Sequence, residues 1–418
     1  MGAKSGRARS RQRKLLFFLS LLGLVVAAGA AVFVVRGYRL DFEGWTVRAT
    51  GLLVATSAPD GAQVYIDGEL KSATNNTLSL PPGKYRVEIK KEGLLTWSKE
   101  LVVEKELVTK TEAYLFPRVP SLSALTFDGT VGPVMSPDGT KLAFIVPAGQ
   151  EAGEKSGLWV LTLSDLPLGF SRDPRQVARA DLAGAKIAWS PDLRQILLKT
   201  TKGAYFLLAA GEFNPQGTWV NVGSRLEEIL AGWEEERRQV LEQQEKHLPE
   251  GMQYILSEKA GFISFSPDET KVLYTATASA TLTDELISPV PAASTQKQER
   301  NIKPSNTYIY DIKEDRNFWV AERPIYAPET DELFGGQALR FGGQARIFWF
   351  PTSRHVVIVE EKSIVIGDYD GTNQQQVYAG PFENGKVFPH PSGSKLIVLT
   401  NLNQQEGQTP NLYAISLR

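Results

Sequence analysis

The chain has no cysteine and few histidines, two residue types that enzymes commonly use as nucleophiles, proton carriers or metal ligands. It contains no cysteine, which excludes disulfides, thiolate metal sites and cysteine nucleophiles. Its three histidines, His247, His355 and His390, are not spaced as in any zinc motif. No nucleophile elbow, zinc-protease motif, phosphate loop or dinucleotide fingerprint occurs. The sequence therefore predicts no catalytic, metal-binding or cofactor-binding residue and no cofactor, and it leaves the binding residues unknown.

Two patterns superficially resemble ligand-binding loops and are interpreted as turns. The run D-Y-D-G at 368–371 begins like a calcium loop, but Ala379 stands where such a loop has its bidentate glutamate. The glycine pairs at 335–336 and 342–343 are not followed by a phosphate-binding helix. Two carboxylates can still cleave glycosides without leaving a motif. A hydrolase or lyase acting on a surface polymer therefore stays open beside the main prediction that the chain is not an enzyme.

Charge is distributed unevenly along the chain. Residues 1–36 hold seven Lys or Arg and no acid, whereas the rest holds 39 basic and 47 acidic residues, a net charge of −8. Nucleic-acid binding requires a basic surface on the folded body. A mildly acidic body therefore predicts no nucleic-acid partner.

A continuous apolar run follows the basic head. Residues 15–35 carry no charge, and 21 helical residues would span about 31 Å, close to the hydrocarbon thickness of a bilayer. The prediction is a transmembrane helix over 15–36, a cytoplasmic basic tail over 1–14, and a single-pass membrane protein with its bulk outside the cytoplasm. A cleaved signal peptide ending near Ala30 is the alternative.

The pattern then changes to two-residue alternation, which is typical of strands with one buried face. In the segment 85–90, Tyr, Val and Ile alternate with Arg, Glu and Lys. Turn sequences at 59–61, 67–68 and 82–83 combine Pro or Asp with Gly. Five strands are expected, at 52–55, 63–66, 85–90, 96–103 and 108–115.

The run S-A-P-D-G-A-Q-V-Y-I-D-G at 57–68, followed by L-P-P-G-K-Y-R-V-E-I at 80–89, resembles the PEGA domain. One position departs from the family name, since Asp60 replaces glutamate. The resemblance implies a small β-sandwich-like domain over 50–117 that serves as an extracytoplasmic adhesive or spacer module, with no enzymatic role.

The remainder, residues 118–418, contains a repeated turn. Met-Ser-Pro-Asp at 135–138 recurs as Trp-Ser-Pro-Asp at 189–192 and Phe-Ser-Pro-Asp at 265–268, with weaker copies at 349–351 and 390–393. In each copy Pro sets φ, Ser or Asp can bond the turn amides, and an apolar strand follows. A third strand is expected after most turns, at 158–163, 204–208, 308–312, 364–369 and 412–416.

Units of four strands at a period near 40 residues are typical of β-propeller blades. The S-P-D-G turn resembles the TolB-type propeller repeat, and D-G-T-N at 370–373 resembles the turn after its third strand. We expect a propeller of five or six blades, the sixth near 334–341. We expect it to be closed by pairing of 122–126 with 412–416.

Two insertions interrupt the repeats. Residues 224–247 predict a helix with a capping box from Ser224 to Glu227. The segment 286–305 is rich in Pro, Ser, Thr and Gln and predicts a loop.

The complete fold prediction is all-β: one transmembrane helix, a PEGA-like sandwich, and a TolB-like propeller with one helical insertion. The function predicted is a noncatalytic, membrane-anchored interaction platform that binds a protein or cell-envelope polymer. A polysaccharide-binding lectin is an alternative that exposed tryptophans on one face would favour.

Overall fold

The chain folds mainly into short β-strands arranged in many small sheets. The computed structural model describes residues 17–29, 31–32, 38–41, 46–148, 153–163, 174–325, 346–383, 385–402 and 409–418. The chain divides into two compact units, which are described separately. Unit 1 comprises Met1–Glu92, Thr96–Leu115 and Pro291–Gln296, and unit 2 comprises Gly93–Leu95, Phe116–Val290 and Lys297–Arg418. The predicted domain boundaries themselves stay a prediction.

The first helix, α1, is described at residues 17–29 and 31–32. Within the described ranges, no helix is long and apolar enough to cross a membrane. The prediction of a transmembrane helix over 15–36, and of a single-pass location based on it, is therefore wrong.

The described residues of unit 1 form nine strands. They are β1 (Tyr38–Asp41), β2 (Thr46–Ala49), β3 (Gly51–Ala58), β4 (Gln63–Ile66), β5 (Glu69–Ala73), β6 (Asn76–Leu80), β7 (Gly83–Lys90), β8 (Trp97–Val103) and β9 (Val108–Tyr114). These strands make three sheets: the hairpin β1-β2 and two sheets with the strand orders β6-β3-β9 and β5-β4-β7-β8.

Alternation of apolar and polar residues positions these strands as predicted. In β7, Val87 and Ile89 are fully buried, whereas their neighbours Arg86, Glu88 and Lys90 are not. All five predicted strands are present. Four further strands, β1, β2, β5 and β6, were not predicted. The sequences of β5 and β6, ELKSA and NTLSL, are mostly polar and lack a buried alternating face.

The described residues of unit 2 form five larger sheets and one short two-stranded sheet. The first three sheets have the strand orders β11-β12-β13-β14, β15-β16-β17 and β18-β19-β22-β23. The fourth has the order β24-β25-β26-β27 and the fifth β10-β30-β29-β28, and β20-β21 is the hairpin. The strands of the first and second sheets are β11 (Val131–Met135), β12 (Lys141–Val146), β13 (Gly157–Thr162), β14 (Arg175–Arg179), β15 (Lys186–Trp189), β16 (Gln195–Lys199) and β17 (Tyr205–Ala209). Those of the third sheet and the hairpin are β18 (Ala260–Phe265), β19 (Lys271–Ala276), β20 (Ala280–Thr281), β21 (Asn301–Ile302), β22 (Thr307–Asp311) and β23 (Arg316–Ala321). Those of the fourth and fifth sheets are β24 (Ile347–Trp349), β25 (His355–Val359), β26 (Ser363–Asp368), β27 (Gln375–Ala379), β10 (Leu122–Ala124), β28 (Val387–Pro389), β29 (Lys395–Thr400) and β30 (Asn411–Ser416).

The fold-class prediction as a whole is corrected by this topology. The described residues form nine separate small sheets, and these are not closed into a propeller. The four-stranded repeat is not uniform, because the second sheet has only three strands and the chain then continues into helices. The region 334–341, where a sixth blade was predicted, lies outside the described residues.

The predicted pairing of the two ends of this region is confirmed. Strand β10 pairs antiparallel with β30, with Leu122 opposite Ile415 and Ala124 opposite Tyr413. A buried polar contact supports the pairing, because Asn411 Oδ1 accepts hydrogen bonds from Thr126 Oγ1 (3.0 Å) and the backbone amide of residue 129 (3.0 Å).

Two helices, not one, follow the second sheet. Helix α2 covers Leu226–Glu245 and buries only Leu230 and Trp233, which pack against the second sheet. The predicted capping box is wrong, because Ser224 belongs to the 3-10 turn Gly223–Arg225 and not to an N-cap. Helix α3 covers Glu250–Lys259 and was not predicted; it buries Met252, Ile255 and Leu256 in the core of the third sheet.

Neighbouring sheets in unit 2 share apolar cores. One cluster joins the first sheet to the second, another joins the third to the fourth, and a third joins the fifth to the first. Two equivalent tryptophans reinforce the first two contacts. Trp189 Nε1 donates to the Val134 carbonyl (3.0 Å), and Trp349 Nε1 donates to the Ser264 carbonyl (2.9 Å).

The repeated turn joins the first two strands of the first, second and third sheets through the same hydrogen bonds. In the second sheet, Ser190 Oγ donates to Asp192 Oδ1 (2.6 Å) and accepts from the Gln195 amide (2.9 Å). Ser136 and Ser266 make the same bonds to Asp138 and Asp268 and to the amides of residues 141 and 271. The predicted Ser-Pro-Asp turns are therefore confirmed.

A buried ion pair ties the segment before β21 to the third sheet. Arg300 Nη2 lies 3.1 Å from Asp315 Oδ1, and both side chains are less than one-tenth exposed. Asp315 also accepts hydrogen bonds from Tyr310 Oη (2.9 Å) and the Leu286 amide (2.7 Å). Asp284 contacts the same guanidinium from the surface, with 85% of its side chain exposed.

The fourth sheet contacts the third through a tight glycine turn. Gly371 has φ +78°, and a Cβ atom there would overlap the carbonyl oxygen of Trp319 on β23. Gly203 has nearly the same conformation, φ +79°, but a Cβ atom would meet nothing within 4 Å. The two glycines therefore separate the effect of backbone conformation from that of close packing.

We expect Asp315→Asn to lower the free energy of unfolding by about 3–5 kcal/mol, because the buried Arg300 charge then keeps only the exposed Asp284 carboxylate as an ion-pair partner. Asparagine keeps the left-handed backbone that residue 315 adopts (φ 51°). The matched control Asp284→Asn removes the exposed partner and should cost less than about 1 kcal/mol. Urea unfolding of the three proteins measures both values, and equal losses would contradict the prediction.

We expect the stability advantage of the wild type over Asp192→Asn to shrink as the pH falls from 7 to about 3. The hydrogen bond from Ser190 lowers the pKa of Asp192 despite partial burial. The unfolded chain therefore takes up this proton first, and the stabilising contribution of the carboxylate is lost as the pH falls through its folded-state pKa. Urea unfolding at several pH values is the measurement, and a pH-independent difference would contradict it.

We expect Gly371→Ala to destabilise the chain by about 1–3 kcal/mol more than Gly203→Ala. Both substitutions place alanine in a left-handed conformation, which costs about 1–2 kcal/mol. Only residue 371 also collides with a neighbouring strand. Thermal unfolding of the two variants measures the difference, and identical melting temperatures would show that the contact carries no stability.

Candidate functional site

The three histidines lie in different surroundings and have different hydrogen-bond partners. His247 is exposed just after α2. His390 is buried in the fifth repeat turn, with Nδ1 2.8 Å from Ser392 Oγ. His355 is buried at the start of β25. The glycine pairs at 335–336 and 342–343 lie outside the described residues.

His355 lies between a hydroxyl and a carboxylate. Its Nδ1 is 2.7 Å from Thr352 Oγ1, and its Nε2 is 3.3 Å from Asp368 Oδ1. Both the imidazole and the carboxylate are less than one-tenth exposed, and the rings of Phe116 and Phe350 meet the imidazole edge-on. A hydroxyl, an imidazole and a carboxylate in sequence could move protons, but none of the cavities described below includes these residues.

The third sheet has an equivalent pair. Lys271 faces Asp311 across β19 and β22, as His355 faces Asp368 across β25 and β26. The Lys271 ammonium lies 3.7 Å from Asp311 Oδ2 and 4.7 Å from the centre of the Tyr369 ring. Burial raises the pKa of the Tyr369 hydroxyl, and nearby carboxylates raise it further. The charges of Lys271 and Asp311 therefore neutralise one another inside the protein.

Asp370 is held within its own turn. Its Oδ1 accepts hydrogen bonds from the Thr372 amide (3.2 Å) and hydroxyl (2.6 Å). In the part of the chain that the structure describes, no three His, Asp or Glu residues lie together as metal ligands would. The carboxylate at 370 thus serves the turn that positions Gly371.

An open groove lies on the surface of unit 2. It consists of two adjacent cavities of about 480 and 780 Å³ that share Glu361 and Lys362. The smaller cavity is otherwise lined by Arg323, Arg346, Val359, Glu360 and Ser363. The larger is otherwise lined by Ala379, Gly380, Pro381, Phe382, Glu383, Thr400, Asn401 and Pro410. We call the two together the loop groove.

The loop groove lies where strands of the third, fourth and fifth sheets end. Glu360 and Lys362 connect β25 to β26, and Pro381 follows β27. All these connections are at the strand ends opposite the repeated Ser-Pro-Asp turns, because the strands alternate in direction. Binding sites on β-sheet proteins commonly lie on such connections, which a rigid scaffold positions.

Backbone hydrogen bonds hold the groove walls in place. The Gly380 amide donates to the Lys362 carbonyl (3.1 Å), and the Val359 amide donates to the Arg346 carbonyl (2.7 Å). Thr400 Oγ1 donates to the Pro381 carbonyl (2.7 Å), which joins two connections across the larger cavity. The groove is therefore preformed by its main chain.

Lys386, three residues after the cavity residue Glu383, is partly buried. Burial lowers the pKa of Lys386, and the nearby Glu383 carboxylate opposes that effect. The Lys386 amide donates to the Glu383 carbonyl (3.0 Å), which closes the turn that carries the groove wall.

Sequence reasoning did not find the loop groove. Its residues are spread over 323–410 in connections of unequal length, so no periodic signal marks them. The one local signal is composition: Glu-Glu-Lys-Ser at 360–363 and Gly-Pro-Phe-Glu at 380–383 both directly follow apolar strands.

Comparisons with solved structures return distant similarities. A putative TolB from Agrobacterium tumefaciens is 14% identical, covering 66% of this chain and 76% of that one, with a TM-score of 0.21. A Bacteroides thetaiotaomicron protein of unknown function is 10% identical over 86% of this chain and 91% of that one, with a TM-score of 0.24. TM-scores this low do not establish a shared fold. No curated protein matches the chain.

The prediction that the chain is not an enzyme is corrected by the same comparison. An acylaminoacyl peptidase from Pyrococcus horikoshii is also similar, at 10% identity and a TM-score of 0.21. The match covers 70% of this chain but only 39% of the peptidase. Neither activity transfers to this chain.

A family model identifies one part of the chain. The predicted resemblance of residues 50–117 to a PEGA domain is confirmed, and it concerns unit 1 and the first residues that follow it. Residues 50–118 match the PEGA domain family.

Proposed function

We propose that this protein binds a polypeptide partner in the loop groove of unit 2. The observation that carries the proposal is the pair of adjoining cavities, about 480 and 780 Å³, that share Glu361 and Lys362 as a common wall. Each cavity falls in the size range of ligand pockets. Because the two cavities share a wall, one extended chain can contact both of them.

The lining of the larger cavity combines apolar and polar groups. Ala379, Pro381 and Phe382 offer apolar contact, whereas Thr400 and Asn401 offer hydrogen-bonding groups. An extended polypeptide likewise presents both side chains and backbone hydrogen-bonding groups. A lipid tail would instead require a continuous apolar tunnel, which this lining does not provide.

A polysaccharide partner is less well supported by the described residues. Sugars commonly stack on exposed aromatic rings, whereas in the described ranges the one largely exposed tryptophan is Trp319, 44% exposed on β23. Trp319 does not line the loop groove. We therefore retain polysaccharide binding as an outcome of the test.

We expect the immobilised full chain to retain a subset of a randomised heptapeptide pool and to retain no N-acetylglucosamine oligomers. Ala379→Arg should reduce peptide retention at least about tenfold, since a long charged side chain would fill the larger cavity. Ala379 is exposed at the end of β27, so the substitution leaves the core unchanged.

The matched control is Ala231→Arg, on the exposed face of α2 outside the groove, and it should retain peptides like the wild type. Mass spectrometry of the eluted peptides gives the measurement. Equal retention by Ala379→Arg and the wild type, absence of any retained peptide, or retention of the sugar oligomers alone would each overturn the proposal.

A further inference from the structure

The smaller cavity of the loop groove has basic groups that are not neutralised from within. Arg323 is paired with Glu360, at 2.7 Å between Nη2 and Oε1. Over the described ranges, neither Arg346 nor Lys362 has a carboxylate within salt-bridge distance. Two cations therefore line this cavity beside Glu360 and Glu361 without forming an ion pair with either carboxylate.

These two cations project from fixed main-chain positions. The Arg346 amide donates to the Ile325 carbonyl (2.6 Å), and its own carbonyl accepts from the Val359 amide (2.7 Å). The Lys362 carbonyl accepts from the Gly380 amide (3.1 Å). Because the backbone is already held, less conformational freedom is lost when the side chains meet a ligand.

Glu361 and Arg346 make the two parts of the groove differ in charge. It lines both cavities, at their common wall, and makes no ion pair with the described residues. Its negative charge would repel an acidic group placed at that wall or in the larger cavity. An anionic group is accordingly favoured at the Arg346 side, with apolar residues of the same ligand beside Pro381 and Phe382.

We infer, resting on the proposed function, that the smaller cavity binds a carboxylate group of the polypeptide held in the loop groove. The Arg346 guanidinium has the planar geometry to bind a carboxylate with two parallel hydrogen bonds, and the Lys362 ammonium adds a point charge. The carboxylate belongs either to the chain terminus or to an Asp or Glu side chain. The chemistry is the same, so the experiment must separate the two sources.

Three randomised heptapeptide pools test the inference on the immobilised full chain. The first lacks acidic residues and ends in an amide, the second lacks acidic residues and ends in a free carboxylate, and the third ends in an amide but contains one Glu. We expect the second or the third pool to be retained about tenfold more than the first, as a charge-assisted contact of about 1.4 kcal/mol would give.

The variants Arg346→Gln and Lys362→Gln should remove that preference, so that the three pools are retained to the same extent. Lys202→Gln, an exposed lysine in the turn after β16, is the matched control and should keep the preference. Circular dichroism of each variant confirms that the fold is retained.

The outcomes separate this inference from the proposed function. Equal retention of all three pools, or a preference that survives both Gln variants, overturns the carboxylate site and leaves peptide binding in place. Retention of none of the pools overturns the proposed function, and the carboxylate site with it. A preference for the second pool assigns the carboxylate to the chain terminus, and a preference for the third assigns it to a side chain.

Discussion

The hydrogen bond between a buried serine hydroxyl and an aspartate two residues later organises the sheets of unit 2. Where Ser190 donates to Asp192, the same hydroxyl accepts the amide that begins the next strand. A reversal of direction would otherwise leave that amide buried without a partner, which costs about 1–3 kcal/mol. The turn thus satisfies its own polar groups and fixes the register of the hairpin that follows.

Deviations from this turn have structural consequences. In the fourth sheet Phe350 replaces the serine and Thr352 replaces the aspartate, so the threonine hydroxyl pairs with His355 instead. In the fifth sheet His390 takes the serine position and pairs with Ser392. The third and fourth turns also touch, since Ser353 Oγ accepts from the Asp268 amide (3.1 Å). The two buried histidines therefore have a structural explanation within the repeat.

The turn was predictable because its cause is local. Proline, the short polar side chains and the apolar strand after them all lie within about ten residues. The pairing of β10 with β30 was predictable from the last repeat, which lacked a strand. By contrast, α3 was missed because its ten residues carry a weak helical pattern, and its burial depends on the third sheet. The membrane prediction rested on the apolar run alone, and within the described residues no helix is long and apolar enough to cross a membrane.

The two ends of the sheets differ in how their charges are neutralised, and this difference locates the candidate site. At the turn end, the Lys271 ammonium is paired with the Asp311 carboxylate, and the His355 imidazole lies beside Asp368. Separating a buried ion pair would be costly, which makes that end unsuited to exchanging partners. At the opposite end, the charges on the connections are only partly paired. No sequence pattern encodes this, because the groove depends on which connections three separate sheets bring together. A partner that supplies the missing carboxylate there would gain affinity without disrupting any pair that the fold requires.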